Sequence, residues 1–373
     1  MKVYIELFTY KGCKMNEPSS TIYVDGKRIS HSDPVYFIAE IGSNFDQSLD
    51  RAKELIFLAK EAGANAVKFQ HYTASTLVSD IGFKTLSDIE SHQSKWKKSV
   101  AETYDEASLN KEWTQNLENE CKKIGVTFFS SPYSLDLVDY IDPYVPAYKI
   151  GSGDITWTEI IKHIAKKKKP TLIATGASKM SEVRHAVDTA LSLNPDVILM
   201  QCNTNYTINK ENFRHIHLNV LKSYAELYPG IILGLSDHTP GHVTTLGAVS
   251  LGVKVIEKHF TDSNEREGPD HNFAMTPSSW RNMVDRTREL EMSLGETIKK
   301  VEENEKHTIV LQRRCIRASR TLQAGYSLTL KDMDVLRPCP PGSIPANKIE
   351  TLVGKILKRK IEAGEHFMTK DFE

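Results

Sequence analysis

Eight short apolar runs, each followed by a stretch with helical periodicity, constrain this chain more than any other feature. The runs are VYFIAEIG (35–42), AVKFQ (66–70), VTFFSSP (126–132), AYKIGSG (147–153), TLIATG (171–176), VILMQC (197–202), IILGLSD (231–237) and VIEKHFT (255–261). They are continuous and rich in Val, Ile and Phe, as strands covered on both faces are. Between the first two, Leu49, Ala52, Leu55, Ile56 and Ala59 share one helical stripe that stops at Gly63. Eight such units is the count of a (β/α)8 TIM barrel. A doubly wound sheet would normally use fewer strands and a Gly-rich dinucleotide loop, and no GxGxxG is present.

Two intervals break the rhythm. Residues 71–125 form a long insertion after the second run, either a substrate lid or a plain elaboration of the fold. After Gly295 the pattern ends. A charged linker (296–312) leads to a small β-rich unit (313–373), in which LQAGYSLTLKDMD (322–334) is echoed by IEAGEHFMTKDFE (361–373). Two similar short units predict a pseudo-symmetric domain. The barrel is expected over 34–295. Ahead of it lies an extension, 1–33, with a hairpin in TIYVDGKRIS around Asp25-Gly26.

Composition narrows the function classes. Lys and Arg number 48, and so do Asp and Glu. The chain has no net basic footprint, which argues against nucleic acid as a main partner. No apolar run approaches the roughly 20 residues that span a bilayer. Five scattered cysteines without a CxxC pair suit reduced thiols, so a cytoplasmic location is expected.

A TIM barrel places its chemistry at the C-terminal ends of its strands. Those ends are polar here: Glu40, Lys68, Gln70, Ser131, Lys149, Ser152, Ser236, His238, Glu257 and His259. Lys68 and Lys149 fall within apolar runs, so each needs an anionic partner. With nearby hydroxyls they would suit a phosphate or carboxylate. His238 and His259 end consecutive strands. They are either core histidines or a pair sharing one divalent metal and leaving positions open for substrate oxygens. His242, four residues past His238, is separated from it by Pro240-Gly241 and reads as the start of a helix.

The ordered set IAEIGSN, AGANAVKFQ, FFSSPYSLDLVD, VPAYKIGSGD, GLSDHT, EKHFTD and GPDH resembles the sialic acid synthases. These enzymes make nonulosonic acids from phosphoenolpyruvate and a six-carbon aldose. The tail resembles their antifreeze-like (SAF) domain. The resemblance implies a phosphoenolpyruvate-binding set of Lys68, Ser131, Lys149, Ser152 and Ser236, and metal ligands His238 and His259, usually for Mn2+. It implies Glu40 at the reacting centre, sugar-side contacts from Gln70, Tyr206 and Asp270, and Arg337 sent into the partner subunit of a domain-swapped homodimer. The expected partner substrate is an N-acylated, mannosamine-like hexosamine. Three positions depart from the family pattern: Phe45 for a histidine, Ala174 for a serine and Gln201 for a histidine. An alternative on the same barrel is a Schiff-base pyruvate aldolase with Lys149 as nucleophile.

Overall fold

The computed structural model describes residues 15–86, 96 and 98–373. Residues 1–14 of the extension and 87–95 and 97 of the insertion lie outside the described residues. The chain divides into two compact units, 1–295 and 296–373.

The first unit opens with the expected hairpin, β1 (Thr21–Val24) against β2 (Lys27–Ser30). Asp25 and Gly26 both have positive φ, 51° and 72°, as a two-residue primed turn requires. Ile22, Val24 and Ile29 are buried in the same core as the barrel. Asp25 accepts a hydrogen bond from Thr127 Oγ1 at 3.2 Å, and Lys27 Nζ donates to Asn65 O at 3.3 Å. Both partners sit at the N-terminal ends of barrel strands. The hairpin therefore belongs to the barrel unit and caps the face opposite the expected active site.

Eight parallel strands follow: β3 (Tyr36–Gly42), β4 (Ala66–His71), β5 (Thr127–Pro132), β6 (Tyr148–Ile150), β7 (Thr171–Ala174), β8 (Val197–Cys202), β9 (Ile232–Asp237) and β10 (Val255–His259). They close in that order, with β10 pairing back to β3. Each coincides with one of the apolar runs. The outer layer begins with α1 (Leu49–Glu61) and α5 (Thr114–Ile124), the insertion between them carrying α2 (Ala74–Leu77), α3 (Asp80–Lys84) and α4 (Val100–Ala107). It continues with α6 (Leu135–Ile141), α7 (Thr158–Lys166), α8 (Met180–Leu191), α9 (Val220–Leu227), α10 (Val243–Ser250) and α11 (Pro277–Leu294). On α1, Ala52, Leu55, Ile56 and Ala59 are buried, matching the stripe, and Ser48 caps the helix by accepting from Arg51 N. His242 is the residue that starts α10.

The second unit has its own core, with Ile316, Leu322, Leu328, Leu357, Ile361 and Phe367 at its centre. The expected linker is partly helical: α12 (Lys306–Gln312) lies within it. The regular sheet is small, β11 (Cys315–Ala318) antiparallel to β12 (Met333–Leu336). The internal echo is structural. Arg320 Nε donates to Asp332 Oδ1 at 3.0 Å, and Arg359 Nε donates to Asp371 Oδ1 at 2.7 Å. Each aspartate caps its own 3-10 turn through a backbone N–H three residues earlier. Leu322 and Ile361, the equivalent apolar positions, pair with each other. No helix among the described residues is long and apolar enough to cross a membrane.

Candidate active site

A strand turns alternate residues to opposite faces, so the mouth of the barrel receives every second residue. Glu40, Lys68, Gln70, Ser131, Lys149, Ser152, Tyr206, Ser236, His238, His259 and Asp270 all line one cavity of about 280 Å³ at the C-terminal mouth. Eleven of the twelve expected site residues thus share one wall. The twelfth, Arg337, is exposed in the second unit, directly after β12.

The centre of the cavity is a chain of alternating charges. Gln70 Nε2 donates to Glu40 Oε1 at 2.6 Å, and Lys68 Nζ sits 2.5 Å from Glu40 Oε2. Lys68 also donates to Ser131 Oγ at 3.2 Å and lies 4.0 Å from Glu257 Oε2. Lys149 Nζ donates to Glu257 Oε1 at 2.7 Å, and Ser236 Oγ reaches the same oxygen at 3.2 Å. Each buried lysine has the anionic partner its burial demands. Burial pushes the Glu257 carboxyl up, but Lys149 and Lys68 outweigh it and hold it at about 2. Burial works against the Lys68 ammonium, yet Glu257 and Glu40 raise its pKa.

The backbone approaches this chain closely. Gly42 has φ +54°, and a Cβ there would meet Asp270 Oδ2 at 2.9 Å and Glu40 Oε1 at 3.3 Å. The irregularity in the β3–β4 register between Glu40 and Gly42 makes the turn.

The histidines form the second feature. Their ring centroids are 5.3 Å apart, and Tyr206 and Phe273 pack around them. His238 Nδ1 lies 2.9 Å from Asn203 O, which fixes a proton on Nδ1 and leaves Nε2 as the ring's acceptor, with the Cys202 thiol beside the ring. His259 Nδ1 is buried without a hydrogen bond; its nearest carboxylate is Asp270 Oδ2 at 3.5 Å. Among the described residues no group of three His, Cys, Asp or Glu forms a ready metal cage. The pair nonetheless fits a divalent cation with open positions. The lining carries two lysines against three carboxylates, Glu40, Glu257 and Asp270. With neutral histidines that is an excess of one negative charge.

Sequence reasoning named Glu257 as a strand end but gave it no role. It is two residues before His259 and faces the same way, a signal available from strand periodicity alone. Tyr72, Tyr104 and Tyr133 also line the cavity. Tyr72 is near the start of the insertion and Tyr104 lies on α4, so the insertion contributes a wall to the site. Cys202 lines it too, beside His238.

Of the three departures from the family pattern, Ala174 alone faces the cavity. Phe45 is buried in the core, with its ring 6.3 Å from those of Phe69 and Trp113. Gln201 points outward and donates to Ile216 O at 2.9 Å.

Comparison with known proteins finds matches over both units. The NeuB family model matches residues 55–299 and the SAF domain model residues 313–373. The chain is 34% identical to the N,N'-diacetyllegionaminic acid synthase of Legionella pneumophila, over 91% of this chain and 94% of that one. It is 30% identical to a pseudaminic acid synthase of Campylobacter jejuni, over 91% and 96%. The solved N-acetylneuraminic acid synthetase of Leptospira borgpetersenii, in complex with citrate, superposes with a TM-score of 0.67 at 25% identity, covering 79% of this chain and 96% of that one. With a family match across most of its barrel and a SAF domain match behind it, the chain belongs to the NeuB family.

Proposed function

We propose that this protein condenses phosphoenolpyruvate with an N-acylated, mannosamine-like aldose, giving a nonulosonic acid and phosphate. The observation that carries the reading is the Glu40–Lys68–Glu257–Lys149 chain beside His238 and His259. Two buried ammonium groups that already neutralise carboxylates are suited to exchange them for a substrate's phosphate and carboxylate.

In this reading C3 of phosphoenolpyruvate attacks the aldehyde C1 of the open-chain sugar. Water adds at C2, and the C2–O bond to phosphate breaks. The sum is phosphoenolpyruvate, aldose and water in, nonulosonate and phosphate out. A divalent cation, expected to be Mn2+, would be held by His238 and His259 and would supply Lewis-acid polarisation of the aldehyde oxygen. Lys68 and Lys149 bind the anionic groups, with Ser131, Ser152 and Ser236 donating to their oxygens. Glu40, a carboxylate beside Lys68, handles protons: it takes one from the attacking water and passes it to the new C1 oxygen. Gln70 and Lys68 orient it. Gln70, Tyr206 and Asp270 contact the sugar. Arg337 serves the site of the partner subunit in a domain-swapped homodimer.

The geometry favours this over the aldolase. A Schiff-base lysine must present a free amine, whereas Lys149 is paired with a carboxylate at 2.7 Å. The test is phosphate release from phosphoenolpyruvate with a panel of N-acylated aldoses, before and after chelation. Release should stop on chelation and return with Mn2+. Undiminished turnover without metal, or borohydride trapping of pyruvate on Lys149, would overturn it.

A further inference from the structure

Strand alternation turns Ser236, His238, Glu257 and His259 to the cavity, and it must turn Asp237 and Lys258 away from it. These two oppose each other directly in the β9–β10 register. Lys258 Nζ lies 2.5 Å from Asp237 Oδ2 and donates to Thr239 O at 2.6 Å. Asp237 also accepts from Thr239 N at 3.1 Å, from Thr239 Oγ1 at 2.9 Å and from Thr244 Oγ1 of α10 at 2.6 Å. Both side chains are 1% exposed.

Burying an ion pair in the layer between strand and helix is no cheap route to stability. Apolar residues of similar volume would usually serve as well or better. What the pair does provide is geometry. His238 is flanked by Asp237 and Thr239, and one ammonium holds both. That ammonium belongs to Lys258, the residue next to His259. A single buried cation therefore ties together the backbone on both sides of His238 and the strand that ends in His259. The chain leaves β9 immediately after Asp237, so His238 sits where the sheet's own ladder no longer fixes it.

We propose that the Asp237–Lys258 pair positions the two histidines, setting the separation at which they share one divalent cation. The inference rests on the metal reading above. Neither residue touches substrate; both are positioning residues.

The test measures Mn2+ binding to the metal-stripped full-length protein by the electron paramagnetic resonance of free Mn2+, without substrates. Lys258→Met should weaken Mn2+ binding about 10–100-fold, the range typical for residues that orient ligands. It should lower kcat while KM for phosphoenolpyruvate stays within about two-fold, since Lys68 and Lys149 are untouched. Because Lys258→Met strands a buried carboxylate and can impair folding, Asp237→Asn/Lys258→Met is the second variant. It should melt close to the wild type yet still bind Mn2+ weakly. Wild-type Mn2+ affinity in a well-folded double variant would overturn the positioning role and leave the metal reading standing. A wild-type protein that binds no Mn2+ would sink both.

Discussion

Lys149 Nζ lies 2.7 Å from Glu257 Oε1, and the two side chains come from β6 and β10, strands four places apart in a ring of eight. The bond therefore spans the barrel mouth from one side to the other. Where most TIM barrels fill this layer with branched apolar residues, here it holds opposed charges. The arrangement gives each lysine a carboxylate partner, which on the proposed reading a substrate anion would replace.

Glu257→Gln should expose that exchange. Removing one partner of a buried pair costs up to about 3–5 kcal/mol, so the ligand-free variant should melt well below the wild type. Phosphoenolpyruvate replaces the missing charge, so it should raise the melting temperature more in the variant than in the wild type. Equal ligand-induced shifts would contradict the exchange. The wild-type pair also has an acid limit. Because the folded pKa is depressed to about 2, its contribution is full above the unfolded carboxylate range and disappears as pH falls toward 2.

His71 predicts a second, milder acid sensitivity. It is buried between Ser130 Oγ at 2.6 Å and Thr114 Oγ1 at 2.8 Å. Burial lowers its pKa from 6.5 to about 4. The neutral ring's contribution is complete above pH 6.5 and is lost as pH falls through 4, in total about 3 kcal/mol. Urea unfolding of the wild type should lose more stability between pH 7.5 and 4.5 than that of His71→Gln. Parallel losses would rule out His71 as the source.

Arg337 tests the swapped dimer. Neither Arg337→Ala nor Lys149→Met should turn over alone. Unfolded and refolded together, they should form heterodimers in which the Arg337→Ala barrel, with Lys149 intact, receives Arg337 from the other subunit. Activity should return in the mixture. A mixture as inactive as its parents would argue that each subunit serves itself.

The capping hairpin should matter for stability and not for chemistry. Ile22 is 1% exposed. Ile22→Ala should cost about 2–5 kcal/mol in chemical denaturation and leave kcat per folded molecule unchanged. A fall in kcat would mean that the N-terminal face communicates with the mouth.

Much of this was legible before any coordinates. Eight apolar runs became eight strands because strands buried on both faces must be continuously apolar, and nothing else in the chain imitates that pattern. The site residues were legible because the barrel puts polar strand ends in one place. His238 and His259 were picked by position, and both line the cavity. The side of each strand on which a residue falls was harder to read near loops. Gln201 sits among polar strand-end neighbours, yet its amide points outward to Ile216. Phe45 occupies a position that the family fills with histidine, yet it is core. The aromatic wall from the insertion was unreadable, because Tyr72 and Tyr104, far apart in the chain, meet with ring centroids 5.7 Å apart only in the folded protein.

The sequence by itself determined the barrel, the second unit with its internal echo, and which polar strand ends reach the mouth, since those follow from local periodicity and chain order. The tertiary structure alone decided who partners whom. Lys149 and Glu257 are 108 residues apart, and Asp237 meets Lys258 on the face the cavity never sees. Closing eight strands into a ring brings such pairs within hydrogen-bond distance, and no local pattern records a contact made across a barrel.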